Sequence, residues 1–375
     1  MNPFSSGKIV FDDDFCNRKE EIKTLSKYAV SGVNTVIYSP RRFGKTSLVK
    51  KIQKSIDIQS FYCDFFGVVS CEDIVNRIIS SIINPVSNKK NSLKKILDFF
   101  KLLRPVVNYD TLNNSYSVSI DIDKKSPLNS IEYVIKSLNE MSAKTQQNFL
   151  IIFDEFQEIT EIKDYIAIEG LMRTVIQESK NISFFFVGSR RRILLEMFTD
   201  KKRPFFHSSI LFELKKIPEK EFSIWIKEKF KTNGIDCSDE QALKILSLVK
   251  NYPFYVQKLC FYIYSIIDGN TLLDNHIDTA FELLIEEEKR VTEMVLQSLS
   301  NKQKEVLYAL SLEKTDRIMN NVYLTKHNLI ASTVQSVLIK LENLDLISKN
   351  EYGFIEIVNP IHEINILRMF QSKTN

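Results

Sequence analysis

The stretch from residue 34 to 56 constrains the fold more than any other part of the chain. Residues 34–38 (NTVIY) are mostly apolar and β-branched, the composition of a short buried strand. Eight residues follow: Ser39, Pro40, Arg41, Arg42, Phe43, Gly44, Lys45 and Thr46. The next ten, 47–56 (SLVKKIQKSI), place Leu48, Ile52 and Ile56 on one helical stripe. Strand, GKT loop and helix in that order are what a phosphate-binding P-loop requires. A tight loop turns its backbone N–H groups inward around phosphate oxygens, and the helix N-terminus adds the positive end of its dipole. Gly44 lets the backbone approach, Lys45 reaches the β- and γ-phosphates, and Thr46 ligates Mg²⁺. Residues Ser39 to Ser47 are therefore expected to bind ATP. One position departs from GxxxxGKS/T: the first glycine is Ser39 here.

A second element strengthens the reading. Residues 148–153 (NFLIIF) form a continuous apolar run, as in a strand buried on both faces of a parallel sheet. It ends in Asp154 and Glu155, the Walker B pattern of hydrolytic P-loop enzymes. Asp154 is expected to hold the Mg²⁺ shell and Glu155 to orient the attacking water. A third apolar run, 182–187 (ISFFFV), leads into Gly188 and Ser189 and then Arg190–Arg192. Those three arginines either open a solvated helix or meet a phosphate or partner. Residues 61–66 (FYCDFF) read as another core strand.

Composition narrows the class. The chain has 9 glycines in 375 residues, about a third of the usual ~7%. Glycine is then expected mainly where backbone geometry demands it. Five cysteines, odd in number and never spaced CxxC, argue against a disulfide framework or zinc site, and four scattered histidines without HExxH argue against a metal held by protein ligands alone. No apolar run approaches the ~18–20 residues that span a bilayer. The first residues lack a signal-peptide layout, so a cytoplasmic, non-membrane protein is expected. The net charge of +4 is too small to decide for or against nucleic acid.

The chain divides into three expected domains: a nucleotide-binding core over 1–215, a helical lid over 216–297 and a winged helix-turn-helix over 298–375. Within the core, 88–128 reads as an insertion, a basic amphipathic helix followed by a β-hairpin. The acidic run Glu286, Glu287 and Glu288 is most simply a solvated helix face. In the last domain, 303–312 reads as a helix and 329–334 as a helix-turn-helix turn with Ser332 capping the next helix. Two short strands around Gly353 read as the wing. Nine cations against eight anions over 300–375 leave only +1, meagre for a duplex binder.

These motifs together resemble a known family. Asn17-Arg18-Lys19-Glu20-Glu21 followed by Leu25 resembles the entry motif of AAA+ proteins of the origin-recognition and STAND type. YSPRRFGKTSLV at 38–49, DEFQEI at 154–159, VGS at 187–189 and NYPFYVQ at 251–257 resemble the prokaryotic, or archaeal-type, AAA+/STAND ATPase family. The resemblance runs from about 8 to 370. It implies an α/β fold: a P-loop AAA+ parallel-sheet core, a helical lid and a C-terminal winged helix. It also implies that Arg18 and Glu20 sit near the adenine entry and that Pro253 lies against the nucleotide from the lid. Ser189 falls where the family carries sensor 1, the polar residue that senses the γ-phosphate or the water. Two departures point to slow turnover. Ser208 stands where the family often has an arginine, and no sensor 2 arginine lies near Pro253, Lys258 being the nearest cation after it. Arg203 is the fallback arginine finger.

The implied function is an ATP- and Mg²⁺-binding, slowly hydrolysing ATPase that acts as a nucleotide-driven switch, with a protein partner or self-association. Two alternatives stand beside it. One is a DNA-binding regulator or recruitment factor whose nucleotide is mainly structural, reaching DNA through the winged helix. The other is the ATPase component of a defence or effector system.

Overall fold

The computed structural model describes residues 2–4, 7, 15–83, 96–101, 105–110, 115–120, 127–350 and 352–374. Residues 105–110, 115–120, 373 and 374 are described by their backbone only. The chain forms two compact units. One comprises Lys19–Ser39 with Leu48–Leu214, and the other comprises Met1–Arg18, Pro40–Ser47 and Lys215–Asn375.

The first unit is built on a five-stranded, wholly parallel sheet. Its strands are β1 (Thr35–Tyr38), β2 (Gln59–Asp64), β5 (Phe149–Asp154), β6 (Ile182–Gly188) and β7 (Ile210–Glu213), in spatial order β2-β5-β6-β1-β7. β5 and β6 are buried at every residue, which is why their sequences are continuous apolar runs rather than alternating ones. Phe65, Phe153, Phe156, Phe184, Phe186, Phe198 and Phe205 fill one face as an aromatic cluster, with Phe156 and Phe186 centroids 4.7 Å apart. Helices pack on this sheet by ordinary periodic stripes, such as Ile131, Val134, Ile135 and Leu138 on the helix Pro127–Thr145.

Three details differ from the sequence expectation or add to it. β2 ends at Asp64, opposite Asp154, so Phe65 and Phe66 lie past the strand; the Phe65 N–H instead bonds the Asp154 carbonyl at 2.9 Å. β7 carries no strong pattern in sequence and is recruited by β1, with Ile210 44% and Leu211 41% exposed at the sheet edge. In the insertion, β3 (Pro105–Asp110) and β4 (Ser115–Ile120) pair as an antiparallel hairpin. Of the expected basic stretch 88–103, residues 88–95 and 102–103 lie outside the described residues, as do 111–114 of the expected spacer 110–115 and residues 121–126.

The second unit is helical. Helices Glu219–Thr232, Asp239–Leu248, Pro253–Ile266 and Asp274–Gln297 share a core with Phe43 and Ile361. A winged helix follows: helices Asn301–Leu312, Asn321–Lys326 and Ala331–Asn343, then the antiparallel strands β8 (Ile347–Lys349) and β9 (Ile355–Ile357), then the helix Pro360–Thr374. Ser300 and Gln303 close a capping box at the first of these helices. Ser332 does not cap the third. The Leu329 N–H reaches the Leu324 carbonyl and Asn328 turns at φ 52°, so the turn closes early and the helix starts at Ala331 with Ile330 at its cap. Among the described residues no helix is long and apolar enough to cross a membrane.

Candidate functional site

The carboxyl ends of the parallel strands gather the polar residues of the first unit, the edge at which open α/β sheets bind ligands. β1 leads to Ser39, β2 ends at Asp64, β5 at Asp154, and β6 leads to Ser189.

Beyond Ser39, which is fully buried, the chain enters the loop Pro40–Gly44 and then the helix α2 (Lys45–Ser55). Gly44 sits at φ 89°, a conformation that L side chains rarely adopt, and a Cβ there would point into open space. The first turn of α2 contains no acidic side chain, so the helix itself sets no carboxylate against an anion at its N-terminus. Lys45 is 5% exposed and its Nζ donates to the Pro40 carbonyl at 2.9 Å, which folds the ammonium back over the loop. The helix N-terminus, a folded-back lysine and the Thr46 hydroxyl are donors of the kind that fits a polyphosphate.

The loop's other side chains have a different task. Phe43 is buried in the lid core with its ring edge-on to Tyr252 at 4.9 Å. The Arg42 guanidinium lies 4.3 Å from the Phe254 ring centroid and 3.7 Å from Glu288, and the Tyr252 hydroxyl donates to the Arg41 carbonyl. Arg41, Arg42 and Phe43, placed in the phosphate loop by their spacing, thus tie that loop to the lid. Glu288 departs from the solvated face expected of the acidic run. Glu286 and Glu287 are 74% and 51% exposed, but Glu288 is 3% exposed. It accepts from Lys258 Nζ at 2.6 Å and from Tyr255 Oη at 3.1 Å. Lys258, the first cation after Pro253 in sequence, is therefore engaged inside the lid. Pro253 occupies the first turn of its helix, a position that lacks no bond by lacking an N–H. Arg18 is 4% exposed at φ 69°, while Glu20 is exposed.

At the end of β5, Asp154 is 3% exposed and accepts from Tyr62 Oη at 2.6 Å and from the Glu155 N–H at 3.0 Å. Lys50 Nζ lies 3.2 Å from the Tyr62 ring centroid; burial pulls the Lys50 ammonium below its ordinary range, with Asp154 and Asp64 opposing. Glu155 turns at φ 50°, which swings its carboxylate away from the strand line. Ser189, 1% exposed, meets that carboxylate from β6, its Oγ donating to Glu155 Oε2 at 2.9 Å and its N–H at 3.3 Å. Two residues chosen from separate motifs are thus brought together.

Arg203 has a structural partner. Its guanidinium clamps Glu169, with Nε to Oε2 at 3.1 Å, and lies 5.0 Å from the Tyr165 ring centroid. Arg203 is 9% and Glu169 0% exposed, so this arginine is held inside its own unit rather than presented as a finger. Ser208, in place of the family's arginine, closes a turn by donating to the Phe205 carbonyl at 2.7 Å.

A model of ATPase domains found predominantly in Archaea matches residues 15–259. The chain belongs to that family. A model described as a probable winged helix domain matches residues 291–358. Two solved structures share the fold of this archaeal-type ATPase. The Walker-type ATPase of Pyrococcus abyssi is 16% identical, with 97% of this chain and 99% of that one covered and a TM-score of 0.72. The ORC2 protein of Aeropyrum pernix, seen in ADPNP-ADP complexes, is 15% identical, with 99% of each chain covered and a TM-score of 0.58. No curated protein matches.

Proposed function

We propose that this archaeal-type ATPase binds ATP with Mg²⁺, hydrolyses it slowly and works as a switch in which the lid reads the state of the phosphate loop. The observation that carries the switch is the lid's grip on the loop: Phe43 against Tyr252, Arg42 against Phe254 and Glu288, and the Arg41 carbonyl on the Tyr252 hydroxyl. A loop held this way cannot reshape around a γ-phosphate without moving lid side chains. In this reading Lys45, Thr46 and the loop's N–H groups hold the phosphates, with Arg18 and Pro253 near the base. Thr46 and Asp154 are the residues that would hold Mg²⁺, and that ion would neutralise charge developing on the phosphates. Glu155 orients a water and accepts its proton as the water oxygen bonds to the γ-phosphorus. The bond to the bridging oxygen breaks, and ADP leaves with that electron pair. Ser189 positions Glu155. The absence of an arginine at Ser208 and the engagement of Arg203 by Glu169 support slow turnover.

The test compares Lys45→Ala and Glu155→Gln. Lys45→Ala is expected to remove ATP binding from a folded protein. Glu155→Gln is expected to bind ATP as the wild type does and lose turnover by about 10²–10⁴-fold. Tight ATP binding by folded Lys45→Ala, or wild-type turnover by Glu155→Gln, would overturn the assignment.

A second reading, DNA binding through the winged helix, is favoured by one observation. Ser332, Gln335 and Ser336 are exposed on the N-terminal half of the helix Ala331–Asn343, the polar end that such a helix offers to base edges.

A further inference from the structure

Gln157 belongs to no motif role assigned so far. It sits in the short 3₁₀ turn Phe156–Glu161 directly after β5 and is fully buried. Its neighbours fix its direction: Phe156 is locked in the aromatic cluster, and Thr160 Oγ1 donates to the Gln157 carbonyl at 2.8 Å. The side-chain amide Nε2 donates to Glu155 Oε2 at 2.6 Å and lies 3.4 Å from Glu158 Oε1. Glu155 Oε2 therefore receives three donors, this amide and the Oγ and N–H of Ser189, while Oε1 accepts none among the described residues.

The other end of the amide is as informative. Gln157 Oε1 is buried and has no hydrogen-bond partner among the described residues. It rests where a side chain at position 188 would be: a Cβ on Gly188 would lie 2.0 Å from that oxygen and 3.2 Å from Cδ. Gly188 is one of two glycines here without a positive φ, so close approach rather than backbone conformation explains it. An apolar side chain of the same length would fill this space without stranding a carbonyl oxygen, which is unfavourable when buried. The feature that only the amide adds is its donor on Glu155.

We propose that Gln157 is a positioning residue for Glu155. Admitted by the missing side chain of Gly188, its amide pins Oε2 and turns Oε1 toward the attacking water. This rests on the reading of Glu155 as the water-orienting residue. A mobile carboxylate populates unproductive rotamers, and fixing one oxygen from two sides removes them before water arrives.

The experiment uses the full chain and single-turnover ATP hydrolysis with Mg²⁺, together with equilibrium ATP affinity and thermal melting. The variants are Glu155→Gln, Gln157→Met, Gly188→Ala and the double Gln157→Met/Gly188→Ala. Gln157→Met keeps the volume and removes the donor. It is expected to slow hydrolysis by about 10–100-fold, the worth of one hydrogen bond to a charged group, with ATP affinity within about twofold of wild type. Gly188→Ala leaves Gln157 unchanged in sequence but displaces its amide, and a similar loss is expected. The double variant is expected to be no slower than the slower single, because both changes break the same contact. A rate for Gln157→Met within about threefold of wild type, or losses that multiply in the double, overturns the positioning role while leaving Glu155 in place. Unimpaired turnover in Glu155→Gln overturns the reading beneath it. If Gln157→Met does not fold, Gly188→Ala decides alone: a loss of rate at unchanged ATP affinity supports the role, and an unchanged rate refutes it.

Discussion

Removing Glu288 tests how the lid and phosphate loop are held. Its carboxylate is 3% exposed, with Lys258 Nζ at 2.6 Å, Tyr255 Oη at 3.1 Å and Arg42 at 3.7 Å. Removing one member of a buried ion pair strands the other and costs about 3–5 kcal/mol. Glu287 stays 3.0 Å from Lys258 Nζ in Glu288→Ala, but a half-exposed partner returns no more than about 1 kcal/mol. The expected loss for Glu288→Ala is therefore about 3 kcal/mol. Lys258→Met with Glu288→Leu removes both charges and leaves Tyr255 Oη with Asn359 Nδ2 at 2.7 Å; this double is expected within about 1 kcal/mol of wild type. Trp225 is the chain's only tryptophan and packs on Phe4 and Phe222 in the same unit, so its fluorescence during urea unfolding reports on that unit. A loss below about 1 kcal/mol in Glu288→Ala, or a double as unstable as the single, would refute the reasoning.

Burial pulls the His362 imidazole from 6.5 down to about 4, with Glu288 opposing and Arg42 adding to the shift. The unfolded chain then binds more protons between those values, so stability is complete above pH 6.5 and falls as the pH drops toward 4; His362→Gln is expected to flatten that part of a stability-versus-pH profile. Arg203→Ala leaves Glu169 buried without its clamp, and a loss of about 3–5 kcal/mol is expected that Arg203→Lys does not restore, because lysine lacks the fork. Wild-type stability with abolished turnover would instead place Arg203 in catalysis. For the winged helix, Lys326 is paired with Glu313 at 2.6 Å, while Lys340 and Lys349 are exposed. A monomer is expected to bind duplex DNA with a log–log salt slope no steeper than about −3, and a slope beyond about −5 would show a phosphate footprint larger than these cations supply.

The sequence by itself determined the elements whose information is local. β1, the GKT loop and α2 are adjacent in the chain, so period, turn residue and helix stripe read off together. The continuous apolar strands β5 and β6, each leading into polar residues, predict a buried parallel sheet because burial on both faces leaves no room for alternation. The helix–helix–wing order was likewise legible from periodicity and Gly353.

Tertiary structure alone decided the rest, and the reason is the same in each case: the deciding partner lies far away in sequence. Glu288 looks like its exposed neighbours Glu286 and Glu287 until Lys258 and Tyr255, about one helix earlier, bury it. Phe43 and Arg42 sit in a phosphate motif, yet their side chains are claimed by Tyr252, Phe254 and Glu288. β7 is a strand because β1 offers it an edge to pair with, not because four residues could specify one. Gln157 follows Asp154 and Glu155 in plain view, but its role depends on Gly188, thirty-one positions on, having no side chain to occupy the same space.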